Sequence, residues 1–137
     1  MMYTVMRVAG PPAHFESIQA VLKDIQRIRP DVRAERRPRD GVVVCDISAD
    51  PSWKGHQRAI VQFVTDCSEP IRRVANCGGN VSVDVAIDPD DMAPNPYFCI
   101  HADVDFLKIL VEYRIELEFT VYGCNGIPQP PESRPVL

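Results

Sequence analysis

Apolar positions along this chain follow two periods, and the changes between them outline the elements. Tyr3 to Val8 alternates polar and apolar residues, the period-two mark of a strand with one covered face, and stops at Gly10-Pro11-Pro12. His14 to Ile28 then spaces Phe15, Ile18, Val21, Leu22, Ile25 and Ile28 as one helical stripe, closed by Pro30. Residues 29–40 read as a basic loop, and Gly41 opens a strand through Ser48 that is rich in β-branched residues. Asp50-Pro51-Ser52 predicts a helix start, with Ile60, Phe63, Val64 and Cys67 inward over about four turns. Pro70 interrupts that pattern. Ser68 is expected to cap a second, short helix that buries Ile71 and Val74 and ends at Gly78-Gly79.

Val81, Val83, Val85 and Ile87 alternate with Ser82, Asp84 and Ala86, which predicts a half-buried strand. A turn-rich connection over Asp88–Asp91 and Pro94–Pro96 precedes a short strand expected at Tyr97–His101. Asp103 is the expected N-cap of a helix with Phe106, Leu107, Leu110 and Val111 inward, followed by a strand from Ile115 to Tyr122. The order is β-α-β-α-β-β-α-β. It predicts an α+β two-layer sandwich: a mainly antiparallel sheet with its helices packed on one face. Residues 1–123 form the expected single domain, and 124–137 an extended, Pro-rich C-terminal tail.

The sheet's other face follows from the period of two. With Val43, Cys45, Ile47, Val81, Val83, Val85, Ile115, Leu117, Phe119 and Val121 inward, the opposite side carries Asp46, Asp84, Glu116, Glu118 and Tyr122 among smaller residues. No buried face tolerates that many carboxylates without partners, so this side is expected to be open and acidic. Charge along the chain agrees. Residues 1–75 carry twelve Lys/Arg against nine Asp/Glu, net +3; residues 76–137 carry three against ten, net −7, giving the overall −4. Three readings of the face stay open: a solvated surface that resists strand pairing, a docking surface for a basic macromolecule, and a divalent-metal site built from Asp46, Asp84 and Glu116.

Other chemistry is sparse. Five cysteines at wide spacing, with no C-x-x-C, read as reduced thiols rather than a disulfide framework. Cys99 and His101 share one side of their predicted strand, but zinc spacing is lacking. His14 and His56 are isolated, and His56 falls on a helical first turn where an exposed or packing role is expected over that of a general base. No nucleophile elbow, Walker loop or dinucleotide glycine fingerprint occurs. Arg29–Arg39 interleaves with Asp31, Glu35 and Asp40 and lacks aromatic residues for base stacking, which argues against nucleic acid. No apolar run approaches the roughly 20 residues that span a bilayer, and the N-terminus lacks a leader pattern, so a cytoplasmic protein is the expectation.

Trp53 to Gly123 resembles an uncharacterised bacterial family of small single-domain proteins of unknown function. The likeness is carried by His56, by Pro70-Ile71-Arg72-Arg73-Val74, by Val81–Ile87, by Phe98-Cys99-Ile100, and by Phe106–Leu110 running into Ile115–Tyr122. The N-terminal portion departs from it, because the basic loop replaces the family's usual Gly-x-x-Pro-Thr-like bend. The resemblance implies no catalytic residues. Small acidic bacterial proteins of this character include many immunity proteins. That likeness implies a non-catalytic binding module without cofactor or metal, which neutralises a cognate toxin, or binds another basic protein, through Asp46, Asp84, Glu116, Glu118 and Tyr122. The alternative is a small metal-dependent enzyme or regulatory domain using the same carboxylates or Cys99/His101.

Overall fold

Thr4, Met6 and Val8 face the core from strand β1 (Met2–Ala9), while the residues between them stay partly or fully exposed, as the alternation predicts. The computed structural model describes residues 2–10, 15–88 and 100–122. After β1 come α1 (Phe15–Ile28), β2 (Ala34–Arg36), β3 (Val43–Ser48), α2 (Trp53–Asp66), α3 (Ser68–Asn76), β4 (Asn80–Ile87), α4 (Val104–Glu112) and β5 (Ile115–Val121). The five strands form one sheet in the order β2-β3-β1-β4-β5. Three pairings are antiparallel, and β4–β5 is parallel. The result is an α+β fold with its helices packed on the sheet. Elements β1 to β4 follow the split β-α-β order of ferredoxin-like folds, to which α4 and β5 add one parallel unit at the edge.

Several expectations change on contact with this topology. The basic loop contains a short strand, β2, in which Ala34 is buried and pairs with Cys45 while the charged neighbours stay outside. Three residues are too few to show a period against so many charges. The element order is therefore β-α-β-β-α-α-β-α-β. The expected strand at Tyr97–His101 is not seen at Ile100 and His101, and its first three residues lie outside the described ones. The expected tail, residues 124–137, also lies outside them. Ser68 is the first residue of α3, not its cap; Cys67 holds the cap position without a side-chain hydrogen bond. Pro70 sits in that first turn, where its missing N–H has no helical partner to lose.

Leu107 and Val111 do not point inward. They are 43% and 78% exposed, while Phe106 and Leu110 are buried. α4 touches α2 and β5 at the margin of the sheet, so only a stripe one side chain wide finds cover. Trp53 completes that corner, edge-on to Phe106 at 5.6 Å and tilted against Phe119 at 5.7 Å.

The end of α3 shows why two glycines stand there. The Gly79 amide donates to the Val74 carbonyl at 2.9 Å and the Gly78 amide to Ala75 at 3.3 Å, a Schellman turn with Gly78 at φ 81°. A Cβ on Gly79 would lie 2.8 Å from the Ala9 carbonyl oxygen, so this turn packs directly on β1.

Of the exposed and packing roles expected for His56, the structure shows packing, at full burial. Its Nε2 lies 2.6 Å from the Asp50 carbonyl oxygen, which can only accept, so Nε2 carries a proton. The Thr4 hydroxyl, 2.7 Å from Nδ1, then donates to that nitrogen when the ring is neutral. Burial pushes the His56 pKa below its ordinary 6.5, against the opposing pull of the Asp50 carbonyl. Above about pH 6.5 both folded and unfolded chains hold a neutral ring and the full stability is present. As pH falls through that value the unfolded chain takes a proton that the folded ring resists, and stability declines until the folded pKa is reached.

Two outcomes follow for urea unfolding. Lowering pH from about 7.5 to about 5.5 reduces stability in the wild type, and His56→Gln flattens that dependence. Phe106→Ala costs about 3–5 kcal/mol, whereas Val111→Glu shifts stability by no more than about 0.5 kcal/mol. Equal losses in the last pair would place Val111 in the core.

Candidate functional site

The strand registers set the composition of the uncovered face row by row. Asp46 lies opposite Val5, Val5 opposite Asp84, and Asp84 opposite Glu118. In the adjacent row Val44, Arg7, Ser82 and Glu116 follow one another from β3 to β5, with Glu35 beyond Val44 on β2. In the next row on the other side, Tyr3, Ala86 and Thr120 are neighbours. All five residues expected on this face are therefore placed on it or at its rim. β1 adds Tyr3 and Arg7, which the sequence reading did not assign to the face. Their signal was present, because the period that buries Thr4, Met6 and Val8 turns Tyr3, Val5 and Arg7 the other way.

Arg7 changes the electrostatics of the centre. Its Nη1 lies 3.0 Å from Asp84 Oδ2, and the Thr120 hydroxyl donates to Asp84 Oδ1 at 2.9 Å. Asp84 is only 5% exposed, and both its oxygens are engaged. Burying a lone carboxylate this far is costly; pairing it with a guanidinium and a hydroxyl makes the position tenable. Asp84 thus holds the strands together, and little of it is left for a partner to touch.

The remaining groups form a rim. Glu116 and Glu118 are exposed on β5, Asp46 is exposed on β3, and Tyr122 is 59% exposed just past β5. At the opposite edge the arginines already have partners. Arg33 Nε donates to Glu35 at 2.9 Å, Arg37 binds Asp40 at 2.7 Å, and Arg29 binds Asp31 at 2.8 Å and Asp66 at 3.2 Å. The Val42 amide, then Arg37, hold the Asp40 carboxyl below its usual range. The face is acidic along β5, neutralised at its centre and internally paired beside β2. A shallow concavity of about 580 Å³ opens on it, lined by Tyr3, Val5, Arg7, Asp46, Ala86 and Tyr122 among others.

Asp46, Asp84 and Glu116 do not converge. β1 separates the first two, and among the described residues no three His, Cys, Asp or Glu side chains are grouped to hold a metal ion. His101 is exposed, 3.9 Å from Asp103, and its expected companion Cys99 lies outside the described residues, as does His14. Cys45 and Cys67 are buried free thiols, and burial pushes them up to about 12 and about 11, far from a reactive thiolate. No helix among the described residues is long and apolar enough to cross a membrane.

The division between centre and rim is measurable by denaturation. Arg7→Met lowers stability by about 2–3 kcal/mol, because it strands the Asp84 charge, with some relief from the partial exposure of Arg7. Glu116→Gln and Glu118→Gln together shift it by no more than about 0.5 kcal/mol.

No family model, no curated protein and no solved structure matches this chain, so its functional reading rests on the arrangement of its own side chains.

Proposed function

We propose that this chain is a non-catalytic protein-binding module, and specifically an immunity protein that neutralises a cognate bacterial toxin in the cytoplasm. The observation that carries this reading is the open sheet face, with the carboxylates of Asp46, Glu116 and Glu118 and the Tyr122 ring exposed at its rim. A rigid, strand-borne row of charge suits fast, oriented capture of a basic partner. An exposed tyrosine supplies contact area at small entropic cost. The free thiols of Cys45, Cys67 and Cys77 suit a reducing compartment. The engaged Asp84 contributes by tying β1, β4 and β5 together, and the partner's basic groups meet Glu116 and Glu118 instead.

The test is association kinetics with the purified product of the reading frame next to this gene. Binding is expected at one-to-one stoichiometry, with an on-rate that falls steeply as salt is raised. Glu116→Lys with Glu118→Lys should slow association by about tenfold or more while changing dissociation less. Binding that ignores both salt and this double reversal would move the interface to another part of the molecule.

A further inference from the structure

The concavity on the open face has a definite chemistry. Its rim carries two tyrosines, Tyr3 and Tyr122, 46% and 59% exposed. Its lining includes Val5 and Ala86, and Ala86 lies between the strands that bear the two rings, since it pairs with both Tyr3 and Thr120. A small residue there leaves the gap open. Strand spacing and rise put the tyrosine backbones roughly 12 Å apart across Ala86, and put Asp46 on the adjacent strand β3, roughly 8 Å from Tyr3. The charged groups lining the concavity are Arg7, Asp46 and Asp84, one cation against two carboxylates. Arg7 and Asp84 satisfy each other at 3.0 Å, so the negative charge left over is that of Asp46. The nearby Arg33 donates to Glu35 at 2.9 Å and feels Asp46 only as a second, more distant carboxylate, which leaves two carboxylates to that one cation.

A flat, π-rich, net-negative cleft disfavours phosphates and carboxylates and favours a cation. Between the two cationic side chains of proteins, a guanidinium fits better than an ammonium. It is planar, more weakly hydrated, stacks on aromatic faces and meets a carboxylate with two parallel hydrogen bonds. We propose that the concavity receives an arginine side chain of the protein partner, stacked on the Tyr3 ring and forked onto Asp46, with Tyr122 walling the far side beyond Ala86. This rests on the docking reading above and names the group that the face selects. Glu116 and Glu118 then attract the partner, and the tyrosine cleft anchors it.

The probe is Nα-acetyl-arginine amide, titrated onto the full chain and followed by NMR chemical shifts, with Nα-acetyl-lysine amide in parallel. The arginine probe is expected to shift Tyr3, Asp46, Ala86 and Tyr122 most, and to bind several-fold more tightly than the lysine probe. Asp46→Asn and Tyr3→Ala should each weaken it by about tenfold, and both sites are exposed enough to leave the fold intact. Glu116→Gln with Glu118→Gln should leave it nearly unchanged. Shifts centred elsewhere, equal binding of the two probes, or indifference to both cleft variants would overturn the arginine site. If the arginine probe fails in this way while charge reversal at Glu116 and Glu118 still slows a partner's association, the docking face survives and the arginine cleft falls. Arginine binding at the cleft with no effect of that reversal on any partner would leave the cleft standing and remove the docking reading.

Discussion

The ion pair between Arg7 and Asp84 is the constraint on which the open face depends. A carboxylate at 5% exposure in the middle of a sheet would be intolerable alone. Arg7 reaches it from the adjacent central strand, and Thr120 reaches it from the other side. The three residues come from β1, β4 and β5, so one polar network ties the antiparallel part of the sheet to its parallel edge. On the covered side of β1, Thr4 bonds to His56 and through it to the start of α2. The central strand is thus fastened on both faces by specific polar contacts, with hydrophobic burial supplying the bulk of the cohesion around them.

This arrangement decides how the chain's charge is used. The basic first half spends most of its arginines on ties within the helix layer or near the β2 edge: Arg73 to Asp24 at 2.8 Å joins α3 to α1, and Arg29 to Asp66 joins the ends of α1 and α2. Arg72 reaches Glu112 at 3.0 Å and stacks over Tyr113, joining α3 to α4. From the acidic second half, Glu116 and Glu118 come to the surface along β5, next to Tyr122, and Asp46 of the first half joins them on β3. Among the described residues, Asp46, Glu116 and Glu118 thus stand as a rim around a centre neutralised by the Arg7–Asp84 pair.

Much of the architecture was legible because burial imposes a period. β1, β4, α1, α2 and β5 follow from alternation or helical spacing, and the break before Pro70 follows from a missing N–H. What escaped depends on position within the sheet, which no local pattern encodes. β2 is three residues long in a charged setting, and only its pairing with β3 reveals it. Leu107 and Val111 have the spacing of core residues, yet α4 lies at the margin, where only its Phe106 and Leu110 side is covered. The open face was legible in its composition but not in how its carboxylates are engaged. Asp84 and Glu118 look alike in the sequence, both alternating with valine, leucine or phenylalanine. Only strand order shows that Arg7 stands beside the first and not the second.

The most direct test of this division is a double-mutant cycle on Arg7 and Asp84, using Arg7→Met, Asp84→Leu and the pair, each followed by equilibrium unfolding. If Asp84 is held by Arg7 as a structural pair, the two losses are strongly non-additive. The double variant then recovers more than about 1 kcal/mol relative to the sum of the singles, since an apolar pair strands no charge. Losses that add within about 0.5 kcal/mol would mean that the two residues act independently, and Asp84 would rejoin Asp46, Glu116 and Glu118 as a group free to meet a partner.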